Sequence, residues 1–568
     1  MKKKLNKILS FVLCCTMIFS AIFITGGTTE VQAMEDKQLK SIFSIDAGRK
    51  YFSEEQLKSI IDKAYKSGYT DVQILLGNDA LRFFLADMSM EVNGVTYSSD
   101  DVKEALTKGN KHYYDDPNGN ALTEDEMSRI LAYAKERGLS IVPVINSPGH
   151  MDSILVAMEE LGLEDVRFTH DNKVSERTVN IENAVAVEFT HQLVKKYATY
   201  FGNSEACEIF NFGADEYAND VFGNPGWSYL QDLGLYDEFI AYVNENARII
   251  KEAGMEPMCF NDGIYYDSRD DFGTFDKDII ISYWTAGWWG FYVAKPEYLA
   301  GKGHKILNTN DAWYWVLGNI SDGGYKYEST TVNIDQKEFN DVTGATSEIN
   351  IIGSMQCVWC DEPSKEHDFD RIFALMDQFS TKHADYLIRP ADYTKVDEAV
   401  AKVPANLDIY TQESVTKLND AINAVVRNKR VTEQDVVDEY AIAIENAIKD
   451  LTIKSADYTK VDEAISSIPN DLTIYTEETV KLLNDAKAAV VYGLDITKQE
   501  EVDAMAKAIQ EAVAGLVLKE DKKPGQDEVK PNPSNPSTGD TLNLVPVMLL
   551  LIISGGLGIQ VLRRKKDN

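Results

Sequence analysis

Histidine and cysteine are scarce in this chain, with 7 and 6 residues among 568. Cys14 and Cys15 fall in an N-terminal apolar run, which leaves Cys207, Cys259, Cys357 and Cys360. The first three stand in strand-like apolar runs, so the four read as buried thiols and not as a disulfide framework. Cys357 and Cys360 have a redox-like spacing, but they flank a strand end and have no His or Cys neighbours to form a metal site. No His or Asp cluster has ligand spacing either, so neither a metal nor another cofactor is expected. Positive charge is also short: 57 Lys+Arg face 91 Asp+Glu, a formal charge of -34. That argues against binding nucleic acid through its phosphates and leaves neutral sugars and peptides open. No glycine-rich phosphate loop follows the first strand-like run, which weakens the case for an open dinucleotide-binding sheet.

Both ends read as processing or targeting segments. Lys2, Lys3 and Lys4 precede an apolar run from Ile8 to Ile24, and Val31-Gln32-Ala33 supplies a small-x-small cleavage pattern. Residues 1–33 are therefore expected to be a signal peptide. At the other end Leu542 to Leu562 is apolar apart from Asn543, Ser554 and Gln560, long enough to cross a bilayer, and Arg563-Arg564-Lys565-Lys566 follow. Asn535-Pro536-Ser537-Thr538-Gly539 stands just before. Motif, apolar span and basic tail together resemble the sorting signal that couples Gram-positive surface proteins to the cell wall, with Asn535 where Leu is usual. The resemblance implies a sortase-like transpeptidase and peptidoglycan as partners, with cleavage between Thr538 and Gly539. If the motif is unused, the segment 541–568 is expected to be transmembrane and to make the only membrane contact. Either outcome places the bulk of the chain outside the cell.

Between these ends, strand-like runs alternate with helical stretches. The strand candidates are Ile42–Asp46, Asp71–Leu76, Ser140–Asn146, Cys207–Gly213, Pro257–Asn261, Ile279–Trp284, Lys305–Asn308 and Ile352–Trp359. Helical stretches between them, such as Glu54–Ser67 and Ala184–Tyr200, imply parallel strands with right-handed crossovers. The repeat predicts an α/β fold, a (β/α)8 TIM barrel over residues 34–388. Polar and aromatic residues gather at the strand ends: Asp46, Arg49, Asn78, Asp79, Asn146, His150, Asp215, Glu216, Asn261, Asp262, Trp284, Asn308, Asp311, Trp359 and Asp361. In a barrel those ends share the face where active sites lie. Long polar inserts, Asp87–Thr123, Asp165–Arg177 and Tyr265–Phe272, are expected as loops walling a cleft.

The composition changes after Pro390. Ala391-Asp392-Tyr393-Thr394-Lys395-Val396-Asp397-Glu398-Ala399 returns as Ala456-Asp457-Tyr458-Thr459-Lys460-Val461-Asp462-Glu463-Ala464. Each copy carries helical stretches rich in Ala, Ile, Val, Glu and Lys, which predicts two all-α three-helix modules over 389–454 and 455–519. They hold no cluster of catalytic residue types, so a spacer role is favoured over a second activity, with sugar or protein binding as the other reading. Residues 520–540, rich in Pro, Lys, Asp and Asn, are expected to be an extended linker.

The pair Asp215-Glu216 follows a strand-like run and Gly213. Two like charges in a small volume raise one another's pKa, which is how one carboxyl is kept protonated while its neighbour stays charged. Several segments in order then resemble the family 20 glycoside hydrolases, the β-N-acetylhexosaminidases and lacto-N-biosidases. These are Asp46-Ala47-Gly48-Arg49, Asn146-Ser147-Pro148-Gly149-His150, Gly213-Ala214-Asp215-Glu216, Tyr283-Trp284, Asn310-Asp311-Ala312-Trp313-Tyr314 and Trp359-Cys360-Asp361. The helical repeats resemble the small modules known as "found in various architectures". The family resemblance implies Glu216 as general acid and base, the substrate's acetamido group as nucleophile with retention, Asp215 orienting that group, and Tyr314 donating to its oxygen. It implies Arg49 and Asp361 on outer hydroxyls, with Asp79 also at the substrate. Trp284 and Trp359, with Trp289 or Trp313 beside them, would form apolar walls, and His150 a polar network behind Glu216. Asn146 stands where many members carry Asp, Lys50 where His often follows the arginine, and Ala214 where a second Gly is usual.

Three functions compete. One is a surface exo-β-N-acetylhexosaminidase acting on terminal β-linked N-acetylhexosamine of a glycan, with a variant that releases a disaccharide such as lacto-N-biose. The second is a non-catalytic carbohydrate-binding adhesin, against which the intact Asp215 and Glu216 speak. The third is a structural surface protein, disfavoured by the polar groups gathered at the strand ends.

Overall fold

The computed structural model describes residues 39–113 and 118–520. The signal segment, the sorting-like motif, the C-terminal apolar segment and residues 114–117 of the first long insert lie outside the described residues. One expectation is corrected: among the described residues no helix is long and apolar enough to cross a membrane.

Eight strands form the barrel: β1 (Lys40–Asp46), β2 (Asp71–Asn78), β3 (Ser140–Ser147), β4 (Ile209–Gly213), β5 (Glu256–Phe260), β6 (Ile280–Tyr283), β7 (Ile306–Asn308) and β8 (Ile351–Trp359). Each pairs parallel with the next, and β8 returns to β1 with Ile42 opposite Met355, which closes the sheet. Alternation along each strand produces two apolar layers. Phe43, Ile45, Ile74 and Phe210 face outward into the main core beneath the helices. Ile42, Val142, Ile209, Met258, Ile280 and Leu307 fill the floor of the barrel. Above that floor the interior turns polar: Gln73 Nε2 donates to Ser44 Oγ at 2.8 Å, and Asn211 Nδ2 donates to Gln73 Oε1 at 3.0 Å. Each buried amide thus meets a partner within the barrel.

The helices are locally encoded. Glu54–Lys66 and Glu124–Glu136 begin in capping boxes, Ser53 with Gln56 and Thr123 with Glu126, and place acidic side chains in their first turns. Two expected loops are ordered structure instead. The insert Asp87–Thr123 contains a small hairpin, Met90–Val92 with Val95–Tyr97, and a helix, Ser99–His112. Ser98 caps that helix, and Val102, Ala105 and Leu106 form its buried stripe, a helical period obscured by the polar residues around it. The insert Asp165–Arg177 folds as a hairpin of Arg167–His170 with Lys173–Val179.

Beyond the barrel the chain is helical. Helices Thr394–Ala401, Gln412–Asn423 and Gln434–Lys449 enclose Val396, Leu418, Val437 and Ile444. Helices Thr459–Ser466, Glu477–Ala488 and Gln499–Ala514 enclose Val461, Leu483, Val502 and Ile509 in the same way. The repeated tyrosines make matching bonds, Tyr393 to the Val426 carbonyl and Tyr458 to the Val491 carbonyl. The first helical module belongs to the same compact unit as the barrel, which runs to Thr452, and Val431 N–H donates to the Arg389 carbonyl at 2.8 Å; the second unit starts at Ile453.

Gly109 marks the closest approach of helix Ser99–His112 to helix Asp152–Glu160: a Cβ there would lie 2.0 Å from the Ser153 carbonyl oxygen. Because backbone cannot yield as a side chain can, Gly109→Ala is expected to cost about 1–3 kcal/mol of stability, read as a lowered midpoint in urea unfolding. An unchanged midpoint would show that the two helices separate freely.

Candidate active site

The C-terminal ends of the strands converge on one pocket, lined by Arg49, His150, Asp215, Glu216, Phe260, Trp284, Tyr314, Tyr325, Trp359 and Asp361. Several backbone segments there lie in the left-handed region: Asp79 (φ 58°), His150 (φ 52°), Ala214 (φ 61°) and Glu216 (φ 49°). Packing between loops holds them in place. Gly213 has φ 75°, and a Cβ on it would meet Asn146 Oδ1 at 1.8 Å; one on Gly149 would meet the Asp215 carbonyl oxygen at 2.7 Å. The β3 loop therefore seats directly on the carboxylate loop, and glycine permits the contact.

Arg49 is the charged hub. Its Nε donates to Asp79 Oδ2 at 2.7 Å, and its Nη1 donates to Asp46 Oδ2 at 3.1 Å and to Asp361 Oδ1 at 3.0 Å. Burial works against the buried cation, but the three carboxylates outweigh it and raise its pKa. Burial likewise works against ionised Asp79, but Arg49 and His150 hold it well below the usual carboxylate range. His150 Nδ1 donates to Asp79 Oδ1 at 2.8 Å. Its Nε2 faces Glu216 Oε2 at 3.4 Å and Asp215 Oδ2 at 3.7 Å. Burial opposes protonation of His150, yet Asp79 and Asp215 raise it well above its ordinary value.

The two adjacent carboxyls receive different surroundings. Asn146 Nδ2 donates to Asp215 Oδ1 at 2.8 Å and lies 3.2 Å from Asn78 Oδ1, and Asn78 Nδ2 donates to Asp46 Oδ2 at 3.2 Å. Burial raises Asp215, with Glu216 adding to the effect. Burial would also raise Glu216, but its contact with His150 outweighs that and lowers it. Asn219 Nδ2 donates to Glu216 Oε2 at 2.9 Å, while the Glu216 backbone N–H donates to Asp262 Oδ2 at 2.9 Å.

Aromatic rings form the walls. Trp284 and Tyr314 lie nearly parallel, 15° apart with centroids 6.4 Å distant, and Trp359 meets Tyr314 edge-on at 5.4 Å. The Tyr314 hydroxyl is buried and has no hydrogen-bond partner within the protein. Arg49, His150, Asp215, Glu216, Tyr314, Trp284, Trp359 and Asp361 are thus brought together, with Asp79 one layer behind Arg49 and His150. Two expected wall residues stand elsewhere. Trp313 is fully buried against Phe379 and His383, because the 3-10 turn Asp311–Trp313 and the strand Tyr314–Val316 alternate sides and send Trp313 outward and Tyr314 inward. Trp289 is 92% exposed, while Trp288 beside it turns toward Trp284 with ring centroids 6.4 Å apart. Phe260, Tyr325, Asn219 and Asp262 join the site without having been singled out for it. Asp262 had a strand-end position as its only signal; Asn219 and Tyr325 lie in polar loop sequence that carries none.

A closed parallel barrel with paired carboxyls in an aromatic-walled pocket at its C-terminal face defines a carbohydrate-cleaving barrel enzyme. Comparison with known proteins resolves the class. The family described as "Glycosyl hydrolase family 20, catalytic domain" matches residues 42–375. A solved chain of the pneumococcal exo-beta-D-N-acetylglucosaminidase StrH, which carries tandem catalytic modules of this family, is 45% identical with a TM-score of 0.66, covering 73% of this chain and 98% of that one. Another StrH structure gives 44% identity and a TM-score of 0.66, covering 74% of this chain and 99% of that one. The Lacto-N-biosidase of Bifidobacterium bifidum is 27% identical over 260 residues, 43% of this chain. The matched part is 21% of that protein's length, and 46% of the length of the Beta-hexosaminidase subunit beta of Entamoeba histolytica, which is 23% identical over 44% of this chain. The chain belongs to glycosyl hydrolase family 20, and its barrel is the catalytic domain of that family.

Asp79 offers a test of the electrostatic core. Its folded pKa is depressed, so its stabilising effect is present above its unfolded value and is lost as pH falls through the folded one. Asp79→Asn strips a buried partner from Arg49 and His150 and is expected to cost about 3 kcal/mol at neutral pH. The gap from wild type should begin to narrow below about pH 4, where Asp79 of the unfolded chain takes up a proton while the folded carboxylate stays ionised. Urea unfolding at pH 7 and at pH 3 reads both effects; a gap independent of pH would show that the charge of Asp79 is not what stabilises.

Proposed function

We propose that the barrel is a retaining exo-β-N-acetylhexosaminidase acting on terminal β-linked N-acetylglucosamine or N-acetylgalactosamine of glycans, with the substrate's acetamido group as nucleophile. The observation that carries this reading is the placement of the buried, unpartnered Tyr314 hydroxyl and the Asp215 carboxyl in one pocket beside Glu216. A donor for an acetamido oxygen and an acceptor for its N–H are both present there.

In the first step Glu216 gives its proton to the glycosidic oxygen, the acetamido oxygen bonds to the anomeric carbon, and the bond to the leaving group breaks. Asp215 accepts from the acetamido N–H and offsets the positive charge of the resulting oxazolinium. Water then adds at the anomeric carbon from the side the leaving group occupied, its proton passing to Glu216, as the bond to the acetamido oxygen breaks and the neutral acetamido group is restored, so the configuration is retained. Arg49 and Asp361 hold outer hydroxyls, and Trp284, Trp359 and Phe260 cover the apolar ring face. Asp79 and His150 stand behind this layer. In the pocket as it stands burial leaves Asp215 raised, whereas His150 keeps Glu216 low despite its burial. A bound neutral sugar reverses this: its N–H stabilises ionised Asp215, and displacement of water raises Glu216. No cofactor enters these steps.

The signal-like start and the sorting-like motif support an extracellular address with coupling to the cell wall by a sortase-like transpeptidase. The helical modules, which resemble those "found in various architectures", fit spacers carrying the barrel away from its attachment. StrH is described as an exo-beta-D-N-acetylglucosaminidase, which favours monosaccharide release; the Bifidobacterium bifidum relative bears the name Lacto-N-biosidase, which keeps disaccharide release as the second reading.

Residues 39–520 should hydrolyse p-nitrophenyl β-N-acetylglucosaminide, and Glu216→Gln should lower kcat by about 10²–10⁴-fold. Release only from the β-lacto-N-bioside would move the assignment to the disaccharide reaction. Silence on both and across a glycan screen would leave a binding protein. In the free enzyme the acid limb of kcat/KM should follow protonation of Asp215 and fall above 3.8, the ordinary Asp value. A limb at or below that value would contradict the raised Asp215.

A further inference from the structure

Asp262 lies just beyond β5, is fully buried, and does not line the pocket. Three N–H donors converge on its two oxygens. Oδ2 accepts from the Glu216 backbone at 2.9 Å and from Trp227 Nε1 at 3.0 Å, and Oδ1 accepts from Trp284 Nε1 at 3.2 Å. The three donors are of unlike origin: the backbone of one pocket carboxyl, the ring of a pocket wall, and a fully buried indole that begins the helix Trp227–Leu233. Glu216 sits at φ 49°, a conformation that a side-chain-bearing residue holds only when its surroundings enforce it. The bond to its own N–H is the direct means of enforcement.

We propose that Asp262 is a positioning residue for proton donation, a buried carboxylate that fixes the Glu216 backbone and the Trp284 ring in one register so that the acid meets the leaving-group oxygen of a sugar lying on that ring. This rests on the reading of Glu216 as general acid. An ionised carboxylate answers all three N–H groups, whereas the asparagine of equal size has one oxygen and one NH2 and must turn an N–H toward at least one of them. Burial and the nearby Asp215 push the Asp262 carboxyl up to about 7. The three N–H donors oppose that rise and favour the ionised form, because a protonated oxygen would displace one of them.

The distinguishing property is sensitivity to the leaving group. A dinitrophenyl β-N-acetylglucosaminide departs with little protonation, while a sugar leaving group needs the acid. Asp262→Asn should therefore lose at least about tenfold in kcat on an N-acetylglucosaminyl disaccharide and less than about threefold on the dinitrophenyl substrate. Trp227→Phe, which removes one donor remote from the pocket, should show the same asymmetry in smaller measure and serves if Asp262→Asn does not fold. Equal losses on the two substrates, or no loss on either, would overturn the proposal. The indole N–H resonances of Trp227 and Trp284 report the clamp without turnover and should both move in Asp262→Asn; unmoved resonances would also overturn it. If wild type cleaves neither substrate, the functional reading falls, and the resonances still decide whether Asp262 holds the two indoles.

Discussion

A single buried cation organises the rim of the barrel. The Arg49 guanidinium, nine-tenths buried, holds carboxylates from the ends of β1, β2 and β8 at once: Asp46, Asp79 and Asp361. Asp46 and Asp79 would be costly to bury ionised alone, and the arginine would be as costly without them, while Asp361 meets the same cation from the exposed rim. The planar fork of five donors satisfies all three together, which an ammonium group could not do with the same directionality. Because β8 meets β1 where the sheet closes, the same cation that orders the pocket also ties the seam of the barrel. Through Asp79 its influence reaches His150, and through His150 it reaches Glu216.

The barrel interior changes character along its axis, and the site grows out of that change. At the floor Ile42, Val142 and Ile209 pack as in any apolar core. One layer higher Ser44, Gln73 and Asn211 satisfy one another through amide and hydroxyl bonds. At the top Asp46, Asn78, Asn146 and Asp215 continue the series into ionisable groups. This ordering places charge only where other charges or solvent can answer it. Burial raises Asp215 in spite of the Asn146 amide and His150, while contact with His150 outweighs burial at Glu216, so two adjacent carboxyls of one loop shift in opposite directions.

Asn146 illustrates how a departure from the family pattern is absorbed. An aspartate there would add a third carboxylate beside Asp215, whereas the amide donates to Asp215 and lies within hydrogen-bonding distance of Asn78. The negative partner of His150 is supplied from β2, by Asp79. The charge on the imidazole thus rests on a carboxylate at the end of β2, while Asn146 Oδ1 is buried without a hydrogen-bond partner.

The alternation of apolar strands with amphipathic helices, the eight strand positions and the gathering of polar residues at one set of strand ends were all determined by the sequence, because period and order are local properties. So were the repeat of the helical modules and the pairing of Asp215 with Glu216. Which neighbouring side chain faces the pocket was not: Trp313 and Tyr314 are adjacent aromatics, and only the turn at Asp311–Trp313 decides that Tyr314 enters. The helix Ser99–His112 was hidden in a polar insert because its buried stripe is short and its partner helix is distant in sequence. Asp262 was visible as a strand-end carboxylate, but its value lies in three donors from separate segments, Glu216, Trp227 and Trp284. No local pattern records such a convergence, since it arises only when the strands close and bring those segments within hydrogen-bonding distance.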